Sequence, residues 1–377
     1  MIYSTFIAWQ LYFVPVNHRG GWLFVELSDA DGNIGWGEAS HSGDDQRTME
    51  VLRPLLAGLV GQRIDATLIA SLGSKFSGEF SDDKCGRTAL SAVEQALTDL
   101  FCRRNKISVT EYLNSRPLID EAAVTVYSNV NRMCADRSPQ SVAQAARQAV
   151  DQGVQRLKFA PFDEVSIPAL CAVGASVEAL TEPGRLRLEA LRDAVGRSVY
   201  LMVDCHWRFS VEALPFLERI ASDLDIKWLE DPVPDQTLEV ADRLRDRTGA
   251  QVTGGEHLLT HAEYEKYIRT SGVDVVIADV KHVGGISAMF RIAQMAEEHG
   301  MQFAPHNPSG PISTAASAHV VFASPNSSLL EYPFGEIDWR SDLAPNESLL
   351  TDQLTVIGPG LGVNLRGLGK VTDAIES

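Results

Sequence analysis

The chain has 377 residues, enough for a barrel of about 250 residues with a smaller domain beside it. With 45% hydrophobic and 22% charged residues it can bury a large core, and no stretch of about 18 uncharged apolar residues offers a membrane span. Its 33 basic and 50 acidic side chains leave a formal charge of −17. That charge argues against nucleic acid and anionic membrane as partners, although a bound cation can reverse the field locally for an anionic substrate.

The start, Met1 to Val16, is apolar but alternates like a strand. It has neither a basic flank nor a small-residue cleavage site, so it does not read as an export signal. Phe6 to Phe13 and Gly21 to Leu27 alternate like antiparallel strands, and Asp31-Gly32-Asn33 before Ile34 to Glu38 is a hairpin turn signal. Two loops, Asn17-His18-Arg19-Gly20-Gly21 and Ser40 to Asp45 with His41, carry polar tips between glycines. They read either as lids or as ordinary connections. Cys85 to Leu100 places apolar residues at three- and four-residue intervals and predicts a helix. The first 118 residues therefore read as an α+β unit. Five scattered cysteines without a CxxC pair fit reduced thiols and a cytoplasmic protein.

From about residue 122 strand and helix patterns alternate. The apolar runs are Val124 to Tyr127, Arg156 to Phe159, Tyr200 to Val203, Ile226 to Leu229, Gln251 to Thr253, Val273 to Ala278, Met301 to Ala304 and Leu329 to Tyr332. Helical stretches such as Ser141 to Gln152 and Ser287 to His299 lie between them. Eight parallel strands separated by helices close into a barrel with its chemistry at the carboxyl ends of the strands. An open doubly wound sheet is the competing fold, but no GxGxxG follows the first strand. Gly358-Pro359-Gly360-Leu361-Gly362 reads as a tail turn in preference to a phosphate loop.

Three acids, Asp204, Glu230 and Glu256, each close one of these runs at intervals of 26 residues, the length of one strand, one helix and two short loops. Any one of them alone could be a helix cap or a solvated charge. Three in phase predict a carboxylate cluster at one end of the sheet, suited to Mg²⁺. The next two runs end near Asp279 and His306. If those strands are adjacent, Asp279 accepts from one nitrogen of His306, leaving the other to act as a general base; a satisfied structural histidine is the alternative.

These segments resemble the enolase superfamily, in its mandelate-racemase-like branch. The resemblance is carried by Gly35-Trp36-Gly37-Glu38, Ser91 to Leu100, Val203 to His206, Trp228 to Pro232, Gly255-Glu256, the Asp279 segment with its double glycine, and Pro305 to Gly310. It implies an α/β chain folded as a modified TIM barrel, (β/α)7β, with an α+β N-terminal capping domain. The expected boundaries are 1–118 for the cap, completed by the tail 340–377, and 119–339 for the barrel. It implies Mg²⁺ on Asp204, Glu230 and Glu256, and a shared step in which a proton leaves the carbon beside a carboxylate. It places the base at His306 with Asp279, and at Glu331 an acid that hydrogen-bonds the enediolate, for which a salt-bridged barrel acid is the alternative.

One departure narrows the reaction. The racemase pattern has two lysines spaced KxK at the second strand end, whereas here Lys158-Phe159-Ala160 puts alanine in the second place. The obvious second base is missing, and Lys158 is expected to bind the substrate carboxylate or metal-bound oxygens. His206, two residues past Asp204, should share its side in an extended strand end and resembles the general acid of galactonate- and mannonate-type sugar acid dehydratases; a histidine that only bonds a ligand carboxylate is the alternative. The expected reaction is dehydration of a sugar acid to a 2-keto-3-deoxy acid. A one-base epimerase or cycloisomerase of the same superfamily, or a non-catalytic binding relative, are the alternatives. Substrate contacts are expected from His18, Arg19 and Asn131, and relatives of this kind commonly form homo-oligomers.

Overall fold

The structure is a computed structural model that describes residues 4–17, 20–76, 83–115, 123–134, 136–174, 176–356, 358–368 and 373–375. His18 and Arg19 lie outside the described residues.

The chain opens with β1 (Ser4–Asn17), β2 (Gly20–Asp29) and β3 (Ile34–Glu38), an antiparallel meander joined at one edge by β4 (Arg63–Ile64). The turn after β2 is organised by Asp29, whose buried carboxylate accepts from the backbone nitrogens of Asp31 and Asn33, both at 2.9 Å. Arg104 closes the same carboxylate from the neighbouring helix at 2.5 Å.

That helix, Lys84–Asn105, begins where the Asp83 side chain accepts from Cys85 N and ends at Lys106 in the left-handed region, φ 55°. It is buried along nearly its whole length because the sheet packs on one side and the barrel on the other. Gly37 makes this approach possible: a Cβ there would stand 1.9 Å from the Ala92 carbonyl oxygen. The Gly-Trp-Gly spacing of β3 is thus a packing requirement of the helix laid across it.

The barrel strands are β5 (Ala123–Asn129), β6 (Arg156–Phe159), β7 (Tyr200–Asp204), β8 (Ile226–Glu230), β9 (Gln251–Gly254), β10 (Val275–Ala278), β11 (Gln302–Pro305) and β12 (Leu329–Pro333). Each pairs in parallel with its neighbour from β5 to β11, and β12 pairs with β5. A parallel bridge from Phe303 to Ser327 draws β11 and the start of β12 together, so the ring closes. A helix separates each strand from the next, giving the (β/α)7β form of the TIM barrel with an α+β cap.

After the eighth strand, β13 (Ser348–Leu350) and β14 (Gln353–Thr355) form a hairpin, and β14 extends the barrel sheet by pairing antiparallel to β5. Farther on, Gly360 exchanges backbone hydrogen bonds with Ile107 and Val109. The last described strand, β15 (Asp373–Ile375), pairs antiparallel with β1. The tail therefore serves both sheets.

Inside the barrel a small apolar layer of Tyr127, Met202, Trp228, Val275, Ile277 and Ala304 is buried apart from the main core. Because side chains along a strand alternate with period two, the residue two positions beyond an inward-facing one faces inward again. Asn129, Asp204, Glu230, Asp279 and His306 stand two residues past Tyr127, Met202, Trp228, Ile277 and Ala304. Polar groups thus form the next layer toward the carboxyl ends.

Candidate active site

Asp204 and Glu230 are register partners at the ends of β7 and β8. Glu256 arrives differently. β9 stops at Gly254, and Gly255 takes φ +120°, where a Cβ would meet the Ile277 carbonyl oxygen at 2.8 Å. This turn, open to glycine alone, brings Glu256 back over the mouth.

Carboxylate oxygens of the three acids lie within 4.8 Å of one another, and all three side chains are buried. Glu230 also accepts from Lys158 Nζ at 2.5 Å and from Trp228 Nε1 at 2.9 Å. Burial and the nearby Asp204, Glu256 and Glu331 carboxylates push Glu230 up to about 8, despite Lys158. Three buried oxygen donors face one another, and among the described residues only Glu230 of the three pairs with an ammonium, that of Lys158. That donor set fits a hard divalent cation.

The Lys158 ammonium is buried and reaches Glu331 at 2.9 Å as well as Glu230. Glu331 is further held by Asn129 Nδ2 at 2.7 Å and by the Asn307 backbone N–H at 2.9 Å. Burial opposes its ionisation, but Lys158 and His306 hold it below the ordinary carboxylate range.

His306 Nδ1 lies 2.9 Å from Asp279 Oδ2, and its Nε2 lies 3.1 Å from Glu256 Oε2. Asp279 is not held by the histidine alone. Lys281, fully buried, donates to both Asp279 oxygens at 2.8 and 2.7 Å. Burial would favour a neutral Asp279, but Lys281, His282 and His306 hold it well below its usual range. The carboxylate is therefore a fixed acceptor. Burial lowers the His306 imidazole while Glu256 and Asp279 raise it, and the balance lies above its ordinary value.

His206 meets Asp204 by a route that alternation does not describe. The strand ends at Asp204, and His206 takes φ 54°, followed by Trp207 at φ 55°. The expectation of an extended strand end fails here: the chain turns back so that the His206 N–H and Nδ1 both point at the Asp204 carboxylate, at 3.1 and 2.9 Å. Asp204 raises the imidazole to about 10. His206 Nε2 comes within 3.6 Å of Glu256 Oε1.

Asn131 is placed otherwise than a substrate contact requires of its oxygen. Its Oδ1 accepts from the Ala160 backbone N–H at 2.9 Å, tying the end of β5 to the end of β6. His41 of the cap loop stands 3.4 Å from both terminal nitrogens of Arg132, which pairs with Glu336.

Lys281 and Asn129 were not singled out by the sequence reading. Asn129 follows the inward-facing Tyr127 on β5 at a spacing of two, which is the signal that could have found it, whereas Lys281 lies in the turn past β10, where strand alternation does not apply.

Fold and donor set define a capped barrel that gathers acids, a lysine and two histidines at the carboxyl ends of its strands. Comparison with known proteins agrees. Residues 141–368 match the family model described as enolase C-terminal domain-like, and residues 14–113 match the mandelate racemase/muconate lactonizing enzyme N-terminal domain. The chain belongs to the enolase superfamily, in its mandelate racemase and muconate lactonizing enzyme branch.

It is 30% identical over 363 residues to a D-xylonate dehydratase of Haloferax volcanii, covering 94% of this chain and 85% of that one. It is 30% identical over 317 residues to a D-galactonate dehydratase of Verminephrobacter eiseniae, covering 83% and 78%. Among solved structures, a mandelate racemase/muconate lactonizing enzyme from Jannaschia sp. CCS1 superposes with a TM-score of 0.81 at 21% identity, covering 99% of both chains.

Proposed function

We infer that the protein is a hydro-lyase that dehydrates a sugar acid, an aldonate or aldarate, with the help of Mg²⁺. The reading is supported by relatives that are dehydratases of xylonate, galactonate and gluconate. The observation that carries it is that two imidazoles flank one carboxylate: His306 Nε2 at Glu256 Oε2, and His206 Nε2 at Glu256 Oε1. One proton acceptor and one proton donor thus face the same place.

Mg²⁺ held by Asp204, Glu230 and Glu256 would supply the positive charge that makes a second negative charge on the substrate carboxylate tolerable. The remaining work belongs to side chains. His306 Nε2 takes the proton from the carbon beside the carboxylate, and Asp279 accepts the Nδ1–H and steadies the resulting imidazolium. Lys281 keeps Asp279 ionised and in place throughout. His206 gives its Nε2 proton to the departing β-hydroxyl, which leaves as water. The enol product tautomerises to a 2-keto-3-deoxy acid. Lys158, held between Glu230 and Glu331, steadies the charge on the carboxylate side, and Glu331 with its Asn129 and Asn307 donors fixes that lysine. Alanine at 160 leaves no lysine there to return the proton from the other face, which favours elimination over two-base racemisation.

A panel of aldonates and aldarates, incubated with Mg²⁺ and assayed for keto-acid release, tests this. For the substrate found, H306A and H206N should each lower turnover by roughly a hundredfold to ten-thousandfold. Exchange of the α-proton in D₂O with no keto acid formed would replace the dehydratase by a one-base isomerase. Near-normal turnover in either variant would remove that histidine from its role.

A further inference from the structure

We propose that the barrel mouth holds a second cation site, made of His206, His257 and Glu256, which takes an imidazole-preferring divalent ion of the zinc type and stops the reaction. His206 Nε2 and His257 Nε2 stand 3.6 and 3.4 Å from the same oxygen, Glu256 Oε1. Ligand atoms of the three residues lie within 4.8 Å of one another. In a tetrahedral zinc site with arms of about 2.0–2.1 Å, neighbouring ligand atoms are roughly 3.3 Å apart. The two edges to Glu256 Oε1 need to close only slightly, and the edge between the imidazoles lies within 4.8 Å.

The donors are oriented before any ion arrives. Asp204 holds His206 at Nδ1, at 2.9 Å from both oxygens, and leaves Nε2 as the outward nitrogen. A carboxylate behind an imidazole is the usual way a metal-binding histidine is aimed. The His257 ring is kept in place by Trp207, their centroids 4.1 Å apart.

An independent observation points to the same spot. Asp231 is buried, and its Oδ2 has no hydrogen-bond partner among the described residues while standing 3.8 Å from His257 Nε2. Its other oxygen is occupied by the Gly255 N–H at 3.2 Å. A buried carboxylate oxygen left open in this way is costly unless a cation or proton meets it.

The two sites differ in kind. Asp204, Glu230 and Glu256 offer oxygen only, which suits Mg²⁺, whereas two imidazoles with a carboxylate suit zinc and its neighbours. Glu256 belongs to both, so the ions would be close, as in sites where two metals share a ligand about 3.5–4 Å apart. Coordination uses the Nε2 lone pair of His206, so that nitrogen has no proton to give. The loss of activity rests on the proton-donating role proposed above for His206, but the binding of the ion does not.

The test uses the full chain saturated with Mg²⁺ and titrated with Co²⁺, whose visible absorption reports nitrogen ligation, and with Zn²⁺ to displace it. One equivalent should bind beyond Mg²⁺, and turnover should fall in proportion without recovering when Mg²⁺ is raised tenfold. H257N should keep its turnover in Mg²⁺ alone, bind Co²⁺ at least about tenfold more weakly, and resist Zn²⁺ to the same degree. A Co²⁺ ion that Mg²⁺ displaces, or an H257N variant that binds as the wild type does, would overturn the site. Binding without inhibition would overturn the shut-off. If no sugar acid is turned over, the functional reading fails while the Co²⁺ titration still decides the site; a Zn²⁺-insensitive dehydratase would fail this proposal alone.

Discussion

Lys281 shows how far a single buried charge depends on its partner. Its ammonium is fully enclosed and makes its ion pair with Asp279, whose second task is to hold His306. Removing one member of a buried pair leaves the other uncompensated, at a cost of about 3–5 kcal/mol, whereas replacing both with neutral groups is far milder. K281M should therefore unfold at a markedly lower urea concentration than the wild type, and D279N/K281M should recover most of the difference. Equal midpoints for K281M and the wild type would show that Asp279 is neutralised by other groups. Asp279 and His306 are legible in the sequence because they follow apolar runs by one and two residues. Lys281 was passed over because lysine normally stays at the surface, and nothing in the sequence alone says that both it and Asp279 turn inward.

Whole elements were easier to read than their ends. The apolar runs mark all eight barrel strands, with differences of one or two residues where a polar residue such as Asn129 or Glu230 continues the pairing. Two features escaped. The β13–β14 hairpin is short, carries the exposed Leu350 and turns through Thr351 at φ 58°, so neither length nor alternation announces it. The turn at His206 and Trp207 uses positive φ without glycine, a conformation that sequence patterns rarely signal.

The joint between cap and barrel depends on buried carboxylates at helix starts. Glu94 accepts from Ile286 N at 2.7 Å and Ser287 N at 3.0 Å, at the head of the helix that follows the Asp279 segment. Glu38 does the same for Gly310 and Ser313, just past His306, at 2.8 and 2.9 Å. Each satisfies N–H groups that the helix cannot, where the helix dipole favours negative charge. E94A should cost about 2–4 kcal/mol, on the order of two buried donors left unpaired, and is checked by urea unfolding. E94Q, which keeps an acceptor, should lose less.

The hairpin at Asp29 gives the pH counterpart. Burial raises this carboxyl, but Asn33, Arg104 and the turn amides outweigh it and hold it below its ordinary range. A lowered folded pKa stabilises the protein above the unfolded value, near 3.9, and that stability disappears as pH falls through the folded one. The stability gap between the wild type and D29N should be widest at neutral pH and narrow below about pH 4. A gap independent of pH would mean that the turn is held by shape and not by charge.

At the scale of the whole molecule, a formal charge of −17 accompanies a barrel mouth where Asp204, Glu230, Glu256 and Glu331 are buried around Lys158. The fold keeps these acids together because each is carried by a different barrel strand or, for Glu256, by the turn just past one, and the ring of backbone hydrogen bonds does not let them separate. Repulsion is therefore stored in the folded state and relieved in the unfolded one, where the same residues are far apart in water. An ion that binds only the folded arrangement stabilises it by mass action, by about 2.7 kcal/mol when its concentration is a hundred times its dissociation constant. Mg²⁺ should raise the unfolding temperature of the metal-free protein by a few degrees in a concentration-dependent way, and excess chelator should reverse the rise. E230Q separates this effect from general screening by salt when measured above pH 8, where Glu230 is ionised, since it then removes one charge and one ligand with little change of side-chain shape. It should raise the stability of the metal-free protein while reducing the response to Mg²⁺, two opposite effects measurable in one set of melting curves. A Mg²⁺ response unchanged in E230Q, or one reproduced by NaCl at matched ionic strength, would place the ion's effect elsewhere on the acidic surface.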